Sequence, residues 1–318
     1  MREFQLIEKI FKPLTKACSA AQDLADDVAK VSLKSGEELV ISKDLFVEDV
    51  HFLRCDGGFK IASKLLRTNL SDLASSGATP LYYMLGFSKN SSTDEKFCRE
   101  FARGLKSVQD EFDLCLIGGD TVSAEKLFFS VTIFGAVKKG KILSRGQAES
   151  GDLIFVSGNI GDAFLGLKTA FDRHTITRHF FPTPRIELGK ALLKNNLSKC
   201  AIDVSDGLLA DLNHLCQASK LNAEIRLDQI PFSKSAQKFF ETNSKIKPLD
   251  LLSGGDDYEL IFSINARHQK KILELAQTLE LDLTCIGEFI KPTSQKFHVT
   301  LRDKKNTKIN IKKLGYEH

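Results

Sequence analysis

Acidic side chains recur in this chain beside glycine or serine, at points far apart in sequence. They stand in Leu24-Ala25-Asp26-Asp27, Ser42-Lys43-Asp44, Asn69-Leu70-Ser71-Asp72, Gly118-Gly119-Asp120, Asp203-Val204-Ser205-Asp206-Gly207 and Gly254-Gly255-Asp256-Asp257-Tyr258-Glu259. Ordinary surface carboxylates come mixed with lysine and have no reason to gather at glycine-rich strand ends. Folded into one cleft, these groups repel: two carboxylates ~4 Å apart cost about 4 kcal/mol at an effective dielectric of roughly 20. Such a cluster needs cations, and oxygen-only ligands select hard ones, above all Mg²⁺. Mg²⁺ in turn points to a polyphosphate.

Each motif also has a bland reading. Ser205 or Asp206 would serve as the N-cap of a following helix, and Gly118-Gly119-Asp120 as a turn after a strand. Asp26-Asp27 fits solvated loop charge, Arg145 a solvated linker residue, and His51 in Val50-His51-Phe52 a satisfied core histidine. Asp72 resists, because it interrupts an apolar-faced helix beside Asn69 and Ser71. The bland readings would have to hold for all the motifs together.

The elements that must position these residues follow from hydrophobic period. Phe4, Ile7, Ile10, Phe11 and Leu14 predict an opening amphipathic helix, and Glu38 to Ser42 a strand that delivers Asp44 at its end. Apolar residues from Phe59 to about Ser75 keep a helical spacing that Gly77 and Pro80 stop, and Asn69 and Asp72, three apart, share a face of that helix. Strands are predicted at 81–87, 114–117 (ending in Gly118-Gly119-Asp120) and 127–137, with a helix from Thr93 as cap to Phe112. The charged, weakly patterned stretch 138–151 separates an N-terminal domain, 1–137, from a C-terminal domain, 138–318. There, strands at 152–157, 201–204, 258–264 and 282–286 and helices at 208–219 and 266–279 predict a second α/β unit. The fold class is α+β, two α/β domains.

Composition excludes several classes. At 318 residues, 42% hydrophobic and 27% charged, the chain matches a soluble globular protein of two domains. A net charge of +4 is too small to argue for nucleic acid, and the basic run from Lys304 to Lys313, broken by Ile309 and Ile311, suits a charged edge strand. Seven cysteines, scattered and never in a Cys-x-x-Cys spacing, fit a reducing compartment rather than disulfides or zinc. The longest apolar run, Leu127 to Val137, is strand length, and no signal-peptide core opens the chain. The cytoplasm is expected, with no membrane and no nucleic-acid partner. Walker-type, dinucleotide-binding and protein-kinase signatures are missing, so any ATP must be held by a different scaffold.

Taken in order, Asp26-Asp27, Ser42-x-Asp44, Val50-His51-Phe52, Asn69-Leu-Ser-Asp72, Ile117-Gly-Gly-Asp120, Ser144-Arg145-Gly146, Asp203-Val-Ser-Asp-Gly-Leu208 and Gly254-Gly-Asp-Asp-Tyr-Glu259 closely resemble the thiamine-monophosphate kinase family. That family belongs to the aminoimidazole ribonucleotide synthetase-like superfamily. The resemblance covers nearly the whole chain. It implies two α/β domains, with the N-terminal domains of two subunits pairing as a homodimer, and ATP-dependent phosphorylation of thiamine monophosphate to thiamine diphosphate. Carried across by motif, Asp27, Ser42, Asp44, Asp72, Asp120, Asp203 and Asp206 would hold several Mg²⁺ ions. Gly119, Asp120, Arg145 and Ser205 would meet ATP, while His51 and Asp256 would face the thiamine phosphate. No residue is expected to act as a catalytic base.

Three departures stand out. Asp23 and Ala25 replace both glycines of the family's Gly-x-Gly-Asp-Asp, and Lys43 replaces a threonine. A lysine ammonium cannot ligate a metal, though its charge could substitute for one. Asp256 stands where the family has glutamate, one methylene longer. Two other readings stay open: another ATP-using member of the superfamily, and a non-catalytic nucleotide-binding homologue.

Overall fold

The computed structural model describes residues 3–16 and 18–316. The chain divides into two compact units, Met1–Leu73 with Ala78–Gly140, and Ala74–Gly77 with Lys141–His318.

In the first unit, helix α1 (Glu3–Leu6) runs on through a π turn at Ile7–Phe11 and a 3-10 turn at Lys12–Thr15. Its apolar stripe buries Leu6, Ile10, Phe11 and Leu14, whereas Phe4 faces out. Strand β1 (Glu37–Val47), helix α2 (Gly58–Ser76), β2 (Thr79–Lys89), α3 (Glu95–Phe112), β3 (Cys115–Ser123) and β4 (Phe128–Lys138) complete it. The sheet order is β1-β4-β2-β3, antiparallel except for the β2–β3 pair. The inner face is packed by α2 and α3 residues, where Phe87, Phe101 and Phe129 meet edge-on or tilted with ring centroids 4.6–5.2 Å apart. On the other face the segment around Ala20 and Ala21 covers Ile117, Tyr82, Met84 and Phe134. Leu39, Ile41 and Leu45 of β1 stay 38–55% exposed on that same outer face.

The second unit holds β5 (Asp152–Ser157), α4 (Asp162–Thr169), α5 (Arg173–Phe180), α6 (Ile186–Lys194), β6 (Ala201–Asp203), α7 (Leu208–Ser219), β7 (Asn222–Arg226), α8 (Lys234–Thr242), α9 (Pro248–Leu252), β8 (Leu260–Asn265), α10 (Gln269–Thr278), β9 (Leu283–Ile290), β10 (Val299–Arg302) and β11 (Lys308–Ile309). These strands form one mixed sheet in the order β11-β10-β7-β9-β5-β8-β6. Its main core joins β5, β8 and β9 side chains such as Ile154, Ile261 and Ile286 to Leu208, Leu212 and Leu215 of α7. The basic stretch does supply an edge strand, two residues long.

Several expectations change. Strand β1 continues three residues beyond Asp44, because pairing with β4 holds from Glu37–Lys138 to Val47–Phe128. Gly118-Gly119-Asp120 is not a turn but lies inside β3, whose parallel pairing with β2 runs on to Ser123. Thr93 does not cap α3: the Asp94 carboxylate accepts from the Phe97 amide at 2.7 Å. Helices α5, α6 and α8 were not read from the sequence, each being eight or nine residues with a short apolar stripe.

Candidate functional site

Three groups of polar residues sit on this scaffold, two in the first unit and one in the second. Along β1, side chains alternate between faces, so Ser42 and Asp44 point together toward α2. Asn69 donates to the Leu65 carbonyl at 2.8 Å, which orients its amide, and its oxygen accepts from the Asp44 backbone amide at 3.2 Å. One turn along, the Ser42 hydroxyl donates to Asp72 Oδ2 at 2.5 Å. Burial, and then the Asp72 charge, push the Asp44 carboxyl up to about 7, against a hydrogen bond from Thr68. Oxygen donors alone, with two carboxylates close together in a buried place, fit a hard cation. Lys43 takes no part in this group. It projects to the outer face, where its ammonium lies 3.4 Å from the Ser130 hydroxyl, so it does not supply charge beside Asp44.

At the end of the same strand, His51 stacks on Phe46 and its Nδ1 accepts from the Val47 amide at 3.1 Å. That acceptance leaves the ring proton on Nε2. The second group lines a cavity of about 500 Å³, a volume suited to a small molecule. Asp26, Asp27, Gly119 and Asp120 are on its wall, among apolar residues such as Phe11, Ile117 and Phe134. Gly119 is required by close approach: a Cβ there would meet the Leu85 carbonyl at 2.0 Å. Ahead of Asp26, Gln22, Asp23 and Leu24 carry φ of 47°, 55° and 53°. Asp23 therefore keeps a left-handed backbone, one that aspartate tolerates better than most residues.

The third group is the loop between β6 and α7. Ser205, Asp206 and Gly207 donate their backbone amides to one oxygen of Asp211, at 3.0–3.1 Å. Neither Ser205 nor Asp206 caps α7. Its N-cap is Gly207, and the first turn reaches back through Asp211. Burial and the charges of Asp203 and Asp206 push the Asp211 carboxyl up to about 8, against those amides. Asp206, Asp211 and His214 each bring a ligand atom within 4.8 Å of the others. The Asp256 amide donates to the Ser205 carbonyl at 2.8 Å, so the Gly254–Glu259 segment lies against this loop. Asp256 Oδ2 is 2.7 Å from His179 Nδ1 of α5. Asp257 caps α4 through the Gly161 amide at 2.7 Å, and Glu259, 1% exposed, is held by Ser157, Arg178 and Arg185. Arg145 is exposed, its carbonyl accepting from the Ser219 hydroxyl at 3.0 Å.

Residues 25–137 match the family described as AIR synthase related protein, N-terminal domain, and 149–300 its C-terminal domain. The thiamine-monophosphate kinase of Caulobacter vibrioides is 36% identical over 99% of this chain and 90% of its own. The chain belongs to the thiamine-monophosphate kinase family. Among solved structures, the thiamine-monophosphate kinase of Stenotrophomonas maltophilia superposes with a TM-score of 0.82 at 35% identity, over 94% of this chain and 96% of that one. A structure described as AaThiL complexed with AMPPCP and TMP gives 0.76 at 27% identity, over 100% of this chain and 99% of that one.

Within this thiamine-monophosphate kinase family member, Ser42, Asp44 and Asp72 come into one group, and Asp203, Ser205 and Asp206 into another. Asp27, Gly119 and Asp120 share the cavity wall. The sequence reading missed Asp211, His179 and His214. Asp211 had a signal: an acidic residue in the first turn after Asp-Gly can fold back on the loop amides. His179 had none, since it meets Asp256 across 77 residues of chain.

Proposed function

We propose that this chain phosphorylates thiamine monophosphate to thiamine diphosphate at the expense of ATP, by direct in-line transfer assisted by Mg²⁺. The observation that carries the reading is the oxygen-only group of Ser42, Asp44 and Asp72, in which burial and then a carboxylate neighbour raise the Asp44 carboxyl. Asp27, Ser42, Asp44, Asp72, Asp120, Asp203 and Asp206 would hold the Mg²⁺ ions. Bound there, the metal neutralises phosphate charge, which lets two anions approach. Gly119, Asp120, Arg145 and Ser205 would receive ATP, with Gly119 allowing the backbone to come close and Arg145 adding a fixed cation.

The attacking oxygen belongs to a phosphate that is already ionised at neutral pH, so the protein needs no nucleophile and no general base. Its task is to bind both anions and align them. His51 would donate from Nε2 to the acceptor, because its Nδ1 is committed to the Val47 amide. Asp256 would face the cationic thiazolium. We also infer a homodimer that pairs through the outer face of the first sheet, where Leu39, Ile41 and Leu45 are exposed, and a cytoplasmic setting suited to seven free thiols. No helix is long and apolar enough to cross a membrane among the described residues.

The test is product formation by the purified protein with ATP and Mg²⁺. Thiamine monophosphate should yield thiamine diphosphate, and free thiamine, which lacks the attacking phosphate, should be inert. Cyclisation of formylglycinamidine ribonucleotide with no thiamine diphosphate formed would overturn the assignment.

A further inference from the structure

Asp256 occupies a demanding place in the second unit. Its φ is 71°, a left-handed backbone that aspartate adopts more readily than most residues other than glycine, and here its surroundings hold it. The hold is dense. The Asp256 and Tyr258 amides donate to the Ser205 and Val204 carbonyls, each at 2.8 Å. Arg178 donates to the Asp257 carbonyl at 3.3 Å and to Glu259 at 2.8 Å. These bonds fix the backbone, and the Asp256 carboxylate is set by rotation about two further side-chain bonds. His179, next to Arg178 at the end of α5, reaches that carboxylate, Nδ1 to Oδ2 at 2.7 Å, with side-chain exposures of 10% and 19%.

Helix α5 is itself well anchored. The Asp172 carboxylate caps its first turn through the Thr175 amide at 2.8 Å, and His174 meets the buried Asp162 at 2.8 Å. A Cβ on Gly166 of α4 would lie 2.1 Å from the Thr175 carbonyl, so the two helices are in close contact. The His179 ring packs edge-on against Phe180, with centroids 4.7 Å apart. An imidazole fixed in this way is a donor of set direction, and a bond to a carboxylate is among the stronger kinds.

We propose that His179 is a positioning residue for acceptor recognition: it locks the Asp256 carboxylate in the orientation that receives the cationic ring of thiamine monophosphate. The proposal rests on reading Asp256 as an acceptor contact. Losing this bond loosens the orientation of the carboxylate, which weakens the acceptor and leaves ATP untouched.

Steady-state kinetics with each substrate varied, and a thermal melt, test it on the intact enzyme. His179→Leu should raise KM for thiamine monophosphate roughly tenfold, with KM for ATP and kcat within about twofold. His179→Asn places an amide N–H where Nδ1 stood and should restore most of the loss. In the double variant with Asp256→Asn, His179→Leu should add nothing further, since the lock then has no carboxylate to act on. If Asp256→Asn raises KM for the acceptor but His179→Leu does not, the positioning role is overturned and the acceptor reading survives. If Asp256→Asn leaves that KM unchanged, both fall. Equal losses for both substrates with a lowered melting temperature, unrescued by Asn, would make His179 merely structural and also overturn the proposal.

Discussion

Asp44 and Asp72 meet on the seam between β1 and α2, and the pair illustrates how a site can oppose its own folding. Burial and a like charge hold the Asp44 carboxyl near 7, so the unliganded seam is poorer than a neutral one. Asp72→Asn should reduce turnover by more than about 100-fold through lost metal affinity. Its melting temperature in chelator should equal or exceed that of the parent, because a repulsion is removed; a lowered melting temperature would show that Asp72 is structural. Lys43 behaves differently, being on the opposite face of β1 beside Ser130. Lys43→Thr should leave the Mg²⁺ concentration for half-maximal rate within about twofold, as for a surface change. A Mg²⁺ titration of the two proteins decides this.

At the scale of elements, the start of α7 shows how a helix can position a loop without a capping side chain at its N-cap. One Asp211 oxygen gathers three backbone amides of Ser205–Gly207, which leaves the Ser205 and Asp206 side chains to other work. Asp211→Ala orphans those amides and should cost about 1–3 kcal/mol, read by denaturant unfolding, together with loss of turnover. Asp211→Asn keeps an acceptor oxygen and should cost less. Equal losses for the two would show that the amides are not what Asp211 serves. Strand β3 teaches a related lesson. Two glycines read naturally as a turn, yet Gly119 is there because the neighbouring backbone at Leu85 leaves no room for a Cβ.

On the scale of the whole molecule, candidate metal ligands occur in both units, Asp27 to Asp120 in one, Asp203 and Asp206 in the other. In the proposed homodimer the exposed outer face of β1 would be the pairing surface. Ile41→Glu places a charge at a position 55% exposed in the single chain. It should convert a dimer to a monomer in sedimentation or light scattering while leaving the monomer folded. A dimer that survives the change would locate the interface elsewhere.

Much of the site was legible before any coordinates. Residue type and spacing placed carboxylates beside glycine and serine, the helical period put Asn69 and Asp72 on one face, and the motif order carried the family. These are local properties, set by side-chain chemistry and by periods of 3.6 and 2 residues. Only the tertiary structure decided which face of β1 α2 covers, that β3 runs straight through Gly118-Gly119-Asp120, that Asp211 holds the Ser205 loop, and that His179 meets Asp256. Each of those depends on contacts between segments distant in sequence or on backbone approach within ångströms. Hydrophobic pattern states that a face is buried, but not by which partner.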